Sequence, residues 1–210
     1  MLQSNPAAVD RRARILDAAE TCFVRSGFHR TTMQDVAQEA GMSAGNLYRY
    51  FPSKDAIVAG LSERDRQEVT DSFAVMGESD GDFMAAFREL GRKHFEDEPR
   101  EKAVLCLEIW AEATRNAEFR KLAAEFADDI VERLTSLIEA ATSAGNIAPA
   151  MDARTIATLI CTLADGVFVR RAVLPSFDPA REIPAVMDVI GALVSGRIPS
   201  RSGCSAEVLP

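Results

Sequence analysis

The sequence is poor in the residues that build metal centres and disulfide frameworks. Its 210 residues include four cysteines, Cys22, Cys106, Cys161 and Cys204, none in a CxxC pair, and two histidines, His29 and His94. That supply argues against a disulfide scaffold and leaves a zinc site few ligands, so no metal is expected. Long apolar runs are missing as well: none reaches the roughly 18 residues of a membrane span. The N-terminus, MLQSNPAAVDRRAR, holds a proline and three arginines where a signal peptide has an apolar stretch, which leads to the expectation of a soluble, cytoplasmic protein. There is no GxSxG, Walker A, GxGxxG or HExxH, and the scattered Ser, His and Asp residues form no constellation, so neither catalysis nor a cofactor is expected. Alternation of the β type bounded by Asn-Gly or Asp-Gly turns is absent; Asp80-Gly81 lies between two helical patterns.

What is present is an ordinary globular balance, 47% hydrophobic and 27% charged residues, at a length that suits one large domain or two small ones. The net charge of −8 is unevenly spread. Residues 11–54 carry seven Lys and Arg against four acids, +3, which leaves −11 on the remainder. A small basic head on an acidic body points to nucleic-acid contact at one end.

Apolar residues recur at i, i+3, i+4 and i+7 through the long proline-free stretches, as in Phe119, Leu122, Ala123, Phe126 and Ile130. The chain therefore reads as all-α. Helices are expected at 7–26, 33–40, 44–50, 54–76, 82–96, 100–114, 117–143, 152–173 and 181–195, about nine in all. The stretch from Pro199 is rich in Ser, Gly and Pro and is expected to fray.

The first fifty-odd residues are the most informative. Ile15, Ala18, Ala19, Cys22 and Phe23 share a face of the first helix, and Gly27 suits its C-terminal stop. Thr32 and Asp35 have the spacing of a capping box. Met33, Val36, Ala37 and Ala40 follow at helical spacing, Gly41 breaks that helix, and Ser43 caps another that Pro52 ends. Two short helices about a glycine turn make a helix-turn-helix. Leu47 and Phe51, at i and i+4, dock inward. That leaves Ser43, Ala44, Gly45, Asn46, Tyr48 and Arg49 facing outward, where Asn46 can pair with base edges, Arg49 with guanine or phosphate, and Tyr48 with phosphate. Thr32 and Lys54 are expected to hold phosphates. By spacing alone, a DNA-reading motif and a helical hairpin with a polar surface fit equally well.

The segment GFHRTTMQDVAQEAGMSAGNLYRYFPSKDAI, residues 27–57, resembles the DNA-binding head of TetR-type (TetR/AcrR) transcriptional regulators. Their pattern is a Gly ending helix 1, Thr-Thr opening helix 2, an Ala-Gly-Val/Met-Ser turn, Gly-x-Leu-Tyr-x-x-Phe, and a short Ser-Lys-Asp/Glu segment opening helix 4. Tyr50 stands where many members have His, a change in a packing or phosphate contact. CLEIWAEATRN (106–116) and TLADGVFVRR (162–171) look loosely like the choline-regulator-like subgroup. The resemblance extends the DNA-contact candidates to Arg30, Thr31 and Tyr50. It implies a three-helix head over 1–53, a ligand-binding and dimerisation body over 54–198 and a tail over 199–210. It also implies a homodimer on operator DNA, most simply a repressor, released when a small molecule binds the body.

One feature of the body bears on this independently. Helix 152–173 is apolar on more than one face, which requires either a central buried place or a partner helix. The dimer candidates are Leu159, Leu163, Val186, Ile190 and Leu193. Candidate ligand contacts are Phe73, Phe87, His94, Cys106, Trp110, Phe126, Asp165 and Phe168. Glu108 and Glu112 beside Trp110 bias the expected ligand toward neutral or cationic apolar molecules. Asp165, inside the run LICTLADGVFV, is open to three readings: a bond across the dimer, a pocket wall, or plain exposure. A helical adaptor for a protein partner is the rival function, and salt-sensitive duplex binding separates the two. Operator sequence, regulated genes and inducer are not readable from the chain.

Overall fold

A computed structural model describes residues 6–77, 83–96 and 99–198. The expected tail 199–210 lies outside the described residues. Within them the fold is all-α: α1 (Pro6–Ser26), α2 (Met33–Glu39), α3 (Ala44–Tyr48), α4 (Lys54–Gly77), α5 (Phe83–Gly91), α6 (Arg100–Ala113), α7 (Ala117–Ser143), α8 (Ala153–Val173) and α9 (Pro179–Val194). No strand occurs among the described residues.

Most of these ends follow from local chemistry. Two expectations are corrected. The helix expected over 82–96 is α-helical only to Gly91, and Arg92–Glu96 form a π-helical turn. At this change Gly91 packs closely against α9: a Cβ there would lie 2.8 Å from the Met187 sulfur. The last helix begins at Pro179 instead of 181, because the Asp178 carboxylate accepts the Ala180 N–H at 3.2 Å and proline suits the first helical position.

The chain divides into two compact units. The first comprises residues up to 69 with 99–126 and 171–174. There α1 packs on α2 and α6, and α2 on α3. Its core takes in Ile15, Ala19, Phe23, Val36, Leu47, Phe51, Ile57 and Phe119, each at most 2% exposed. A charged cluster lies beside this core. Arg64 of α4 pairs with Asp17 (2.8 Å) and Glu20 of α1, and Lys102 of α6 also reaches Glu20, at 3.5 Å.

The second unit comprises 70–98, 127–170 and the chain from 175. Its α9 packs on α5 and on the π turn. Buried there are Phe87, Leu134, Ile138, Ile156, Ile160, Ile183, Met187, Ile190 and Leu193. Phe95 and Phe168 meet edge to face at 5.5 Å.

Candidate nucleic-acid interface

The interface is built from two turns. Gly27, at φ +82°, ends α1 in the left-handed region that glycine enters without strain. The chain then enters a short loop whose Thr31 is turned inward, its Oγ1 donating to the carbonyls of Cys22 (3.2 Å) and Gly27 (2.9 Å). Thr32 opens α2 with a complete capping box. Its Oγ1 accepts the Asp35 N–H at 3.2 Å, and the Asp35 carboxylate accepts the Thr32 N–H at 2.8 Å. These bonds to Thr32 hold the Asp35 carboxyl below the usual carboxylate range.

The second turn pivots on Gly41, φ +66°, steadied by Arg14 Nη2 donating to the Ala40 carbonyl at 3.3 Å. Ser43 then caps α3 by accepting the Asn46 N–H at 3.3 Å. Leu47 and Phe51 are 0% and 1% exposed, which orients the whole of α3. The opposite face is left to solvent: Ser43, Gly45 and Arg49 are exposed, and Tyr48 is 51% exposed. Nothing lies within 4 Å of a Cβ placed on Gly45, so this surface is open to close approach. Asn46 is half-buried, and Ala44 and Tyr50 pack partly against the core.

Arginines lie on α1 and the loop after it. Arg12 stacks 4.3 Å over the Phe51 ring, and Tyr50 bonds to the exposed Arg11 and raises its pKa. Arg30 is exposed, its Nε donating to the Ser26 carbonyl at 2.9 Å. Arg25 is tied to Glu39 at 3.0 Å.

Several expected site residues are corrected by their surroundings. Thr31 is 2% exposed and spent on backbone carbonyls, so it faces no partner molecule. Lys54 is not a free phosphate ligand: its Nζ donates to the carbonyls of Phe28 (2.7 Å) and His29 (3.3 Å) and lies 4.5 Å over the Phe28 ring. Burial lowers its pKa. In the second unit, Ile190 and Leu193 are 4% and 5% exposed, so they belong to the chain's own core and not to an outer stripe. Leu159 is exposed, with Leu163 and Val186 half-buried; Val169 and Val173 of α8 and Val189 of α9 are further exposed apolar residues.

The candidate ligand contacts do not fall into one unit. Cys106, Trp110 and Phe126 lie in the first, and Phe73, Phe87, Asp165 and Phe168 in the second. The side chain of His94 lies outside the described residues. Asp165 is exposed on α8, which for the single chain is the third of its three readings. Glu108 and Glu112 are also reassigned. Glu108 accepts the Phe28 N–H at 2.6 Å, while Glu112 faces His29 at 3.7 Å and Arg115 at 2.9 Å. They are spent on the fold, so the charge bias assigned to the ligand has no support from them. A cleft of about 240 Å³ lies between α4 and α7, floored by Ala56, Ala59, Phe119 and Leu122. Another, of about 480 Å³, lies at the α7–α8 turn. Neither is lined by a ligand-contact candidate.

The chain is similar to known proteins along most of its length. The family model described as "Bacterial regulatory proteins, tetR family" matches residues 15–61, and that described as "BetI-type transcriptional repressor, C-terminal" matches residues 84–195. The uncharacterized HTH-type transcriptional regulator YfiR of Bacillus subtilis is 30% identical over 159 residues, 75% of this chain and 78% of that protein. The HTH-type transcriptional regulator UidR of Escherichia coli is 28% identical over 183 residues, 81% of this chain and 85% of that one. Among solved structures, Salmonella enterica GusR aligns with a TM-score of 0.70 at 25% identity, over 91% of this chain and 98% of its own. Two others share the fold. A transcriptional regulator from Saccharomonospora viridis in complex with choline aligns with a TM-score of 0.73 at 22% identity (87% and 96% covered). FadR from Bacillus subtilis in complex with stearoyl-CoA aligns with a TM-score of 0.71 at 21% identity (88% and 98% covered).

Proposed function

The chain belongs to the TetR family of bacterial transcriptional regulators, and from that premise we propose that it is a repressor whose residues 43–49 read the major groove of an operator. The observation that carries this reading is the orientation of α3. Burial of Leu47 and Phe51 turns Ser43, Gly45, Tyr48 and Arg49 to solvent. Asn46 and Arg49 are assigned to bases, and Tyr48, Thr32 and Arg30 to phosphates. The proposed division is a head at 1–53, a body at 54–198 and a tail at 199–210.

A homodimer is part of the proposal. Exposed Leu159, Val169 and Val173 on α8 and Val189 on α9 supply the apolar surface for a self-complementary interface. A dimer must hold its two recognition helices about 34 Å apart to reach successive major grooves. A small organic molecule in the body that favours another spacing weakens both half-sites together, and DNA by linkage weakens its binding in return. The choline and stearoyl-CoA complexes of proteins with this fold support a body of that kind. No helix among the described residues is long and apolar enough to cross a membrane, and the proposed site of action is the cytoplasm.

The test is selection of bound duplexes from a random pool, followed by titration of the winner. Arg49→Ala should cost about 1–3 kcal/mol on that duplex and relax preference at one position of each half-site. Absence of salt-dependent duplex binding by the wild type would favour the rival protein-adaptor function.

A further inference from the structure

Both backbone polar groups of Phe28, in the loop between α1 and α2, are held by charged side chains from other helices. Its N–H donates to the Glu108 carboxylate of α6 at 2.6 Å. Its carbonyl accepts from Lys54 Nζ, the first residue of α4, at 2.7 Å. The Phe28 ring lies between Phe23 of α1 and Phe119 of α7, 5.5 Å from each. The fit beside the loop is close, since a Cβ on Gly27 would sit 3.0 Å from Glu108 Oε1. One helical turn further along α6, Glu112 stands 3.7 Å from His29. Four residues after Phe28, Thr32 opens α2.

We propose that Glu108 is a positioning residue that couples α6 to the DNA-reading head: its hold on the Phe28 N–H and operator binding favour one another. The inference rests on the assignment of residues 43–49 to DNA. The physical argument is steepness. A hydrogen bond to an ionised acceptor is short and strong. A displacement of α6 by about an ångström takes a 2.6 Å contact beyond bonding range. That separates a half-buried carboxylate from the Phe28 N–H, at a cost that falls with the access of water to each. The contact weakens steeply over a small displacement of α6. It therefore ties any movement of α6 to the loop that sets the start of α2. Trp110, two residues along α6 from Glu108, gives a signal from the same helix.

The experiment uses the full-length protein and an operator duplex selected from a random pool. In the wild type, saturating duplex should shift Trp110 emission and slow hydrogen exchange at the Phe28 amide. Glu108→Gln keeps an acceptor oxygen and should keep both responses. Glu108→Ala should speed Phe28 exchange in the free protein roughly tenfold to hundredfold, the range for a lost charge-assisted bond. It should also abolish the Trp110 shift at saturation. A residue that only stabilised the head would lower affinity but leave the Trp110 shift intact once the duplex saturates. The inference is overturned if the wild type binds duplex without either response, or if Glu108→Ala retains the Trp110 shift. If the alanine variant fails to fold, Glu108→Asp, which draws the acceptor back from the Phe28 N–H, takes its place, and retention of the Trp110 shift by that variant overturns the inference. A wild type that binds no duplex refutes the DNA assignment and the inference with it.

Discussion

Removing the charge of Asp65 should stabilise this protein at neutral pH. Asp65 lies on α4 beside the charged cluster that joins α1, α4 and α6, and its Oδ1 is sealed from solvent without a hydrogen-bond partner. Arg64 Nε is 3.9 Å from Oδ1, outside bonding range. Burial raises the carboxyl from 3.8 to about 6, with Glu20 and Glu68 adding to the rise while Lys102 and Arg64 oppose it. A rise of that size, at about 1.4 kcal/mol per pH unit, amounts to about 3 kcal/mol for a fully dry carboxyl. The side chain keeps 35% of its surface in water, so screening reduces this to about 1–2 kcal/mol. Because the folded-state value is the higher one, the favourable contribution is complete below about pH 4 and is lost as pH rises through about 6. Asp65→Asn mimics the protonated form at every pH. Urea unfolding should therefore find the variant about 1–2 kcal/mol more stable than the wild type at pH 7.5, with the gap closing toward pH 4. A variant less stable at pH 7.5, or a gap that does not change with pH, would show that the ionised carboxylate is a net stabilising partner of Arg64 and Lys102.

Other outcomes follow from burial and bonding. Lys54→Ala should lower stability by about 1–2 kcal/mol through the freed Phe28 and His29 carbonyls, while the slope of operator affinity against salt stays unchanged; a slope reduced by about 1 would return Lys54 to a phosphate. Thr32→Ala removes the α2 cap and should cost about 0.5–2 kcal/mol in urea unfolding, since the Asp35 N–H loses its acceptor. Leu159→Arg, at an exposed position, should leave a folded chain that light scattering reports as monomer. Ile190→Arg places a charge in the core of the chain itself and should unfold it at a cost of several kcal/mol; a folded Ile190→Arg monomer would reverse that assignment.

The sequence by itself determined what is local. Helix faces, glycine stops at 27 and 41, the Thr32 capping box and the Ser43 cap depend on residues within a turn of one another. Their chemistry is complete in the chain, and so the orientation of α3 is legible from residue order alone. Resemblance to TetR-type regulators rested on that same stretch, because a motif that must fit a fixed groove leaves few residues free. The tertiary structure alone decided what long-range neighbours do. Lys54 and Thr31 are polar residues within the helix-turn-helix segment, and only the position of the Phe28, His29, Cys22 and Gly27 carbonyls turns them inward. Glu108, flanked by Leu107 and Ile109, carries no local sign that it will meet an N–H eighty residues away. On α9, Val186, Val189, Ile190 and Leu193 form one apolar stripe in sequence. Which of them the chain buries depends on where α5 and the π turn lie, and that depends on contacts such as Gly91 against Met187 that periodicity does not encode. Which residues surround each ligand-contact candidate escapes the sequence for the same reason: being aromatic records that a residue will be buried, while its neighbours are set by packing across the fold.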